Sequence, residues 1–400
     1  VLEVPDFLLG LLHGGFMLRT TLFVATVLLG MTGCAPCSDI DRRMAPVLIG
    51  TPDPSVDQFV LQASGLGLTA GVNDSFTPGA IEWDGRRLAW ETFAVRLSST
   101  GSQAMVGVTL ASEQSVIGGT LSFPVSLVTH RTDGGFRVGL VAAGPSALSL
   151  AGDAQAPGAA QVLTPLRAAW LDSAPLLSFT GWYRPGERLP IRVTDAVFKG
   201  GVVRVTGSTA LLALAVATEE RAMRPGMSDD FTLAVSTSLL AALARGGWRP
   251  ANGAAGAATT PLPEGWTVTA LAPEPGARGL VVPVLARSEG ACRFVELTAP
   301  TGPLIRDAAF AWKDAGAVAV TAQRDAESVD HNSLANAALR ALAQPLAHPP
   351  LAGPRGGAVV RIVRNSDTAV LLDGVLGPLT VRMMAPPPQV RGLNAPPASP

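Results

Sequence analysis

The sequence predicts an α+β fold that is mainly antiparallel β, with curved sheets and meanders backed by a few amphipathic helices in two pseudo-symmetric halves. Three observations carry this expectation. Glycine and proline number 43 and 33 in 400 residues, which favours strands, turns and loops over long helices. Short apolar runs alternate with period two and are separated by Asp-Gly and Gly-Gly turn signals. A few stretches carry apolar residues at helical spacing beside a capping residue or a stopping proline.

The elements follow in order. Ile81-Glu82-Trp83 and Leu88-Ala89-Trp90 flank Asp84-Gly85-Arg86-Arg87, a hairpin signal. Phe93, Val95 and Leu97 continue with period two, as do Phe123, Val125 and Leu127. Asp133-Gly134-Gly135 then turns the chain into Phe136, Val138 and Leu140. This reads as an antiparallel meander. Residues 151–161 read as a linker. Residues 162–171 read as a short helix with Leu163, Leu166, Trp170 and Leu171 on one face, Pro165 being accommodated in its first turn.

An internal repeat is expected next. Asp195-Ala196-Val197-Phe198 precedes Lys199, two glycines and the strand Val202-Val203-Arg204-Val205-Thr206. Asp307-Ala308-Ala309-Phe310 precedes Lys313, Gly316 and the strand Ala317-Val318-Ala319-Val320-Thr321. The two lysines of the chain fall in these two turns. An amphipathic helix follows each copy: 237–245 with Leu239, Leu240 and Leu243, and 332–344 with Leu334, Ala338 and Leu342, capped by Asn332 or Ser333 and stopped by Pro345. Residues 249–263 form a low-complexity loop. Residues 359–363 and 369–372 form a last hairpin, and 386–400 a Pro-rich tail. The expected units are thus a tether at 34–55, a β-rich domain at 56–175 and a hairpin/helix repeat domain at 176–385.

Composition narrows the function. Hydrophobic residues make up 48% of the chain and charged ones 15%, with a mean hydropathy of +0.33. That is too apolar for a disordered chain and leaves room for an apolar groove. A net charge of −1, a single tyrosine and no basic run give no footprint for nucleic acid. Beyond Cys34 no apolar run is long enough to cross a membrane; 210–217 is about half the length needed.

Chemistry is sparse. His13, His130, His331 and His348 share no metal-ligand spacing, and there is no nucleophile elbow, P-loop or dinucleotide fingerprint. Asp330-His331 with Ser333 reads as a helix start. Glu219-Glu220-Arg221 and Asp229-Asp230, beside Pro225-Gly226, read as solvated turns or a strand approach. The expectation is no catalytic residue, no metal and no cofactor.

The N-terminal region carries a different signal. From Met17, Arg19 supplies a positive charge, 21–29 an apolar run too short to span a bilayer, and Met31-Thr32-Gly33-Cys34 ends it. This run resembles the lipobox of bacterial lipoproteins, with Met31 in place of the usual leucine. The resemblance implies cleavage between Gly33 and Cys34 and acylation of Cys34, so that 17–33 is a signal peptide and the chain is held at a membrane by its lipid. Residues 1–16, with acidic Glu3 and Asp6, then read as a mis-called upstream extension. Ala35 rather than Asp follows Cys34, which in enterobacterial lipoproteins implies the periplasmic face of the outer membrane. With Cys34 acylated, Cys37 and Cys292 remain, either as a disulfide or as two thiols.

Sheet plus amphipathic helix in two related halves looks like the tubular lipid-binding superfamily, over residues 180–385. No site residue is carried over from it. The residues expected to line an apolar channel are Leu211, Leu214, Leu233, Leu239, Leu243, Leu334 and Leu342. The function expected is a non-catalytic envelope lipoprotein that binds lipid or another apolar ligand. The alternative is an assembly lipoprotein that docks another envelope protein.

Overall fold

The computed structural model describes residues 35–377 apart from 76–77, 84–85, 99–100, 112–115, 144–146, 151–175, 213–224, 253–261 and the single positions 227, 263, 278, 291 and 355. The signal stretch with Gly33 and Cys34, the helix expected at 162–171 and the tail at 386–400 lie outside the described residues.

Helix α1 (Ala35–Met44) lies within the stretch expected to be a tether. Strand β1 (Phe59–Ser64) leads into α2 (Gly65–Ser75). A meander follows: β2 (Gly79–Trp83), β3 (Arg86–Ser98), β4 (Gly101–Ala111), β5 (Val116–Thr132), β6 (Gly135–Ala142) and β7 (Ala147–Leu150). Next come β8 (Leu177–Phe179), β9 (Trp182–Arg184), β10 (Glu187–Arg188), β11 (Ile191–Lys199) and β12 (Val202–Thr209). β13 (Phe231–Ser236) runs into α3 (Thr237–Arg245), followed by β14 (Arg249–Pro250), β15 (Trp266–Ala270), β16 (Glu274–Gly276) and β17 (Gly279–Ser288). β18 (Phe294–Thr301), β19 (Pro303–Arg306), β20 (Ala309–Trp312) and β21 (Ala319–Arg324) precede α4 (His331–Ala343). The last strands are β22 (Leu351–Gly353), β23 (Gly356–Asn365) and β24 (Ala369–Leu376).

Fourteen of these strands form one sheet. Thirteen run in the order β11-β12-β1-β13-β24-β23-β22-β8-β6-β5-β4-β3-β2, and β7 pairs with β5. The fold is mainly antiparallel β with four described helices, and the sheet is a strongly curled half-barrel. The aromatic side chains show why it must curl. Phe59 on β1 stacks on Phe179 of β8 at 4.8 Å, and Phe179 stacks on Phe136 of β6 at 5.1 Å. Four strands separate β1 from β8 in the sheet. At about 4.8 Å per strand a flat sheet would hold them roughly 24 Å apart, so the rings meet only across a concave interior. Bulges between Trp90 and Thr92, Val193 and Asp195, and Val360 and Ile362 add local bending. Helix α2 ties the two ends of the sheet together. The Gly65 amide donates to the Gly201 carbonyl at 2.9 Å, and the Val95 amide of β3 donates to Asn73 Oδ1 at 3.0 Å.

The expected boundary at residue 175 runs through this sheet, which draws β1–β7 from one side of it and β8, β11–β13 and β22–β24 from the other. The two stretches expected to repeat also pair differently. β11 and β12 form a hairpin, whereas β20 pairs with β19 and β21 pairs with β18.

In a five-stranded sheet, β15-β17-β18-β21 with β16 beside β17, β17 is covered on both faces while β21 is largely exposed. Val282, Val284 and Ala286 of β17 join the main core with α3 and α4, while Leu285 and Phe294 face Ile40 of α1. Ser236 caps α3 by accepting from the Leu239 amide at 3.1 Å. Asp330, rather than the expected Asn332 or Ser333, caps α4. Its carboxylate reaches the amides of both Asn332 and Ser333, at 3.0 and 3.3 Å, and accepts from the Ser333 hydroxyl at 2.6 Å. Those hydrogen bonds hold the Asp330 carboxyl below the usual range, the Ser333 hydroxyl contributing most.

Candidate functional site

Alternation decides what the curled sheet presents to its interior. Phe59, Leu61 and Ala63 of β1 and Val203 and Val205 of β12 face the main core, as do Ala104, Val106 and Val108 of β4 and Phe136, Val138 and Leu140 of β6. In β3 the buried residues change parity, from Leu88 and Trp90 to Val95. The bulge after Trp90 supplies the extra residue that keeps both sets on one face.

The curl brings the first strand of the sheet back against its other half. β11 meets β5 although eight strands separate the two along the sheet. Among the described residues no ladder joins β11 to β5, and the ladder of β11 is with β12; the Thr194 hydroxyl of β11 also donates to Asp57 at 2.6 Å. At this seam lies a cavity of about 70 Å³, lined by Leu127 and Thr129 of β5, Val138 of β6, Ala196 and Val197 of β11, and Val203 and Val205 of β12. The side chains around it are aliphatic apart from the Thr129 hydroxyl, while polar atoms supply about half of the surface that faces it. The volume matches about two waters' share of liquid, so it holds a few methylenes as it stands. Val203, Val205 and Val138 are fully buried, while Val197 is 37% exposed, so the cavity lies between the core and the surface.

The leucines expected to line a channel sit elsewhere. Leu211, Leu233, Leu239, Leu243, Leu334 and Leu342 are buried in the continuous main core, each no more than 2% exposed. Leu214 lies outside the described residues. Cys37 and Cys292 are joined in a disulfide, their Cα atoms 5.8 Å apart.

A second, larger cleft of about 470 Å³ was not anticipated from the sequence. It is polar and lined by Asp133, Tyr183, Arg184, Gly186, Glu187, Arg188 and Ala251. Its guanidinium groups are engaged: Arg184 pairs with Glu187 at 2.6 Å and lies 4.6 Å from the Trp248 ring centre, and Arg188 approaches Asp133 at 3.6 Å. The run Arg184-Pro185-Gly186-Glu187-Arg188 carries the readable signal, a tight turn flanked by charges.

Asp229 and Asp230 are not solvated. They lead into β13 and are 5% and 1% exposed. Asp230 Oδ2 accepts from the Leu376 amide at 3.0 Å. Nearby, Asp373 accepts from the Thr232 hydroxyl at 2.7 Å and from two nitrogens of Arg364 at 3.0 and 2.6 Å. Burial pushes the Asp229 carboxyl above its usual range; Asp373 adds to this and Arg361 opposes it. Among the described residues no group of three or more His, Cys, Asp or Glu side chains is arranged to hold a metal ion.

No family model matches the chain, and no curated protein matches it. Similar solved structures include P47 of Clostridium botulinum E1, at 7% identity and a TM-score of 0.34, covering 82% of this chain and 100% of that one. P47 from Clostridium botulinum A2 is 9% identical with a TM-score of 0.30, over 81% of this chain and 98% of that one. Lipopolysaccharide binding protein is 9% identical with a TM-score of 0.28, over 80% and 99%. These structural similarities are distant, and no residue here takes a role from them.

Proposed function

We propose that the protein is a non-catalytic bacterial envelope lipoprotein that binds a lipid or another apolar ligand in its curled sheet, with the ligand's chain entering between β11 and β5–β6. The observation that carries this reading is a cavity ringed by aliphatic side chains at a seam where two strands meet without a ladder. Such a junction can widen without breaking backbone hydrogen bonds, and widening exposes it to the continuous apolar interior. The anchoring part of the proposal rests on the Met31-Thr32-Gly33-Cys34 run.

The test is native mass spectrometry of the chain started at Ala35 and purified from an oxidising compartment. The expected result is added mass that organic solvent releases as lipid, and that Val197→Trp reduces several-fold by filling the seam. A clean apo mass that stays unchanged after incubation with envelope lipids sinks the reading.

One observation favours a second reading, docking to another envelope protein. Leu48, Ile49 and Leu212 are 74%, 39% and 68% exposed and lie together, Ile49 bridging to Leu211 and Gly50 lying beside the Leu212 side chain. Leu48→Asp with Leu212→Asp separates the two readings. It removes a docked partner and leaves lipid loading intact.

A further inference from the structure

Helix α1 is fastened at several points to the outer face of the five-stranded sheet. Cys37 is bonded to Cys292 just before β18. Ile40 is buried against Leu285 and Phe294. Asp41 pairs with Arg287, and Arg43 pairs with Glu296 at 2.7 Å. Arg245, at the end of α3, donates to the Arg43 carbonyl at 3.2 Å. The chain therefore has no slack beyond Cys37. Cys34 precedes that fixed point by three residues, and three fully extended residues reach about 10 Å.

This short reach selects one end of the molecule. Beside the Cys37–Cys292 bridge lie the exposed Glu289-Gly290 turn, Arg293, whose guanidinium sits 5.6 Å from the Trp266 ring centre, and Arg324, which approaches Cys292 Sγ at 3.2 Å. We propose that this end, with its Glu289-Gly290 turn and Arg293–Trp266 pair, rests on the headgroup layer of a phospholipid bilayer. The proposal depends on reading Cys34 as acylated. An acyl chain buried in the bilayer holds Cys34 at the interface, and the covalent reach then leaves the bridge within about 10 Å of it. The β11–β12 turn belongs to the large curled sheet and not to the five-stranded sheet that carries the bridge, so it serves as the comparison position.

The full-length chain tests this in its native membrane. A benzophenone amino acid replaces Glu289 in one variant and Lys199, in the β11–β12 turn, in another. After irradiation the expected product is a phospholipid adduct at position 289, several-fold above that at 199. Palmitate labelling is followed in parallel in the wild type and in Cys34→Ala. If wild type takes no label at Cys34, the lipoprotein reading fails and the docking surface falls with it. If Cys34 is labelled but position 289 gives no excess of lipid adduct, the orientation alone is overturned. An adduct at 289 with a second copy of the chain, or with another protein, overturns it equally.

Discussion

Asp229 is buried at the entry to β13, and the nearest guanidinium nitrogen, on Arg361, stands 3.8 Å from its Oδ1. That oxygen lacks a hydrogen bond in the structure, so the charge is poorly compensated. The carboxyl is raised above its ordinary value of 3.8, chiefly by burial. A raised acid contributes stability below its unfolded pKa and loses it as pH climbs through the folded one. Asp229→Asn removes the buried charge and should raise Tm at pH 7, with the gain vanishing as pH falls below about 3.8. Thermal unfolding across pH 3 to 8 measures this; a loss of Tm at pH 7 would mean that attraction to Arg361 outweighs burial. Gly207 makes a steric prediction at the same scale. A Cβ there would press well inside contact distance of the Phe59 ring, which is already stacked on Phe179. Gly207→Ala should cost about 1–3 kcal/mol through overpacking, read as a shift in the denaturant midpoint.

At the scale of elements, local chemistry and distant pairing separate. Helix α3 runs over the residues its apolar spacing predicts, because Ser236 and the leucines that define it are neighbours in sequence. Ser236→Ala should therefore cost about 0.5–2 kcal/mol, measured by chemical denaturation. The hairpins are legible for the same reason: Trp83 pairs with Arg86, and Asn365 pairs with Val370. Helix α1 was obscured by Pro36, Pro46 and a polar run. Its signal is three apolar positions, Cys37, Ile40 and Met44, at spacings of three and four. The Cys37–Cys292 bridge closes a separation of 255 residues, so replacing both cysteines with serine should cost roughly 2–5 kcal/mol. Unfolding with and without reductant checks this, since reductant should shift the wild type and leave the variant unmoved. The candidate site was the least legible part. Leu127, Val138, Ala196 and Val203 all read correctly as strand positions, but nothing local says that β11 meets β5. The 307–321 stretch failed as a repeat for a related reason: it has the pattern of a hairpin, while its strands find partners in β19 and β18.

For the molecule as a whole, the curled sheet is held unevenly, and that unevenness makes the last prediction. β1, β13 and β24 lie inside the sheet, each with ladders on both sides and a buried face. β11 has one ladder and a largely exposed face. Local opening should follow this order, with β11 exchanging its amide hydrogens faster than β1, β13 or β24. The cavity beneath β11, at about 70 Å³, is too small for an acyl chain, so a bound chain requires β11 to move away from β5, pivoting on its ladder with β12. Once seated, the chain excludes water from both walls of the seam. Hydrogen exchange with and without added phospholipid should then show slower exchange at Ile191–Lys199 of β11 and at residues 125–132 of β5, with β1 and β13 unchanged. Protection confined to Leu48, Ile49 and Leu212 would move the apolar contact to the surface patch and favour docking over uptake. Protection shared by both regions would mean that lipid enters the seam while the patch meets the same surface. Val197→Trp then separates these contributions, because it should abolish the change at β11 and leave the patch responsive.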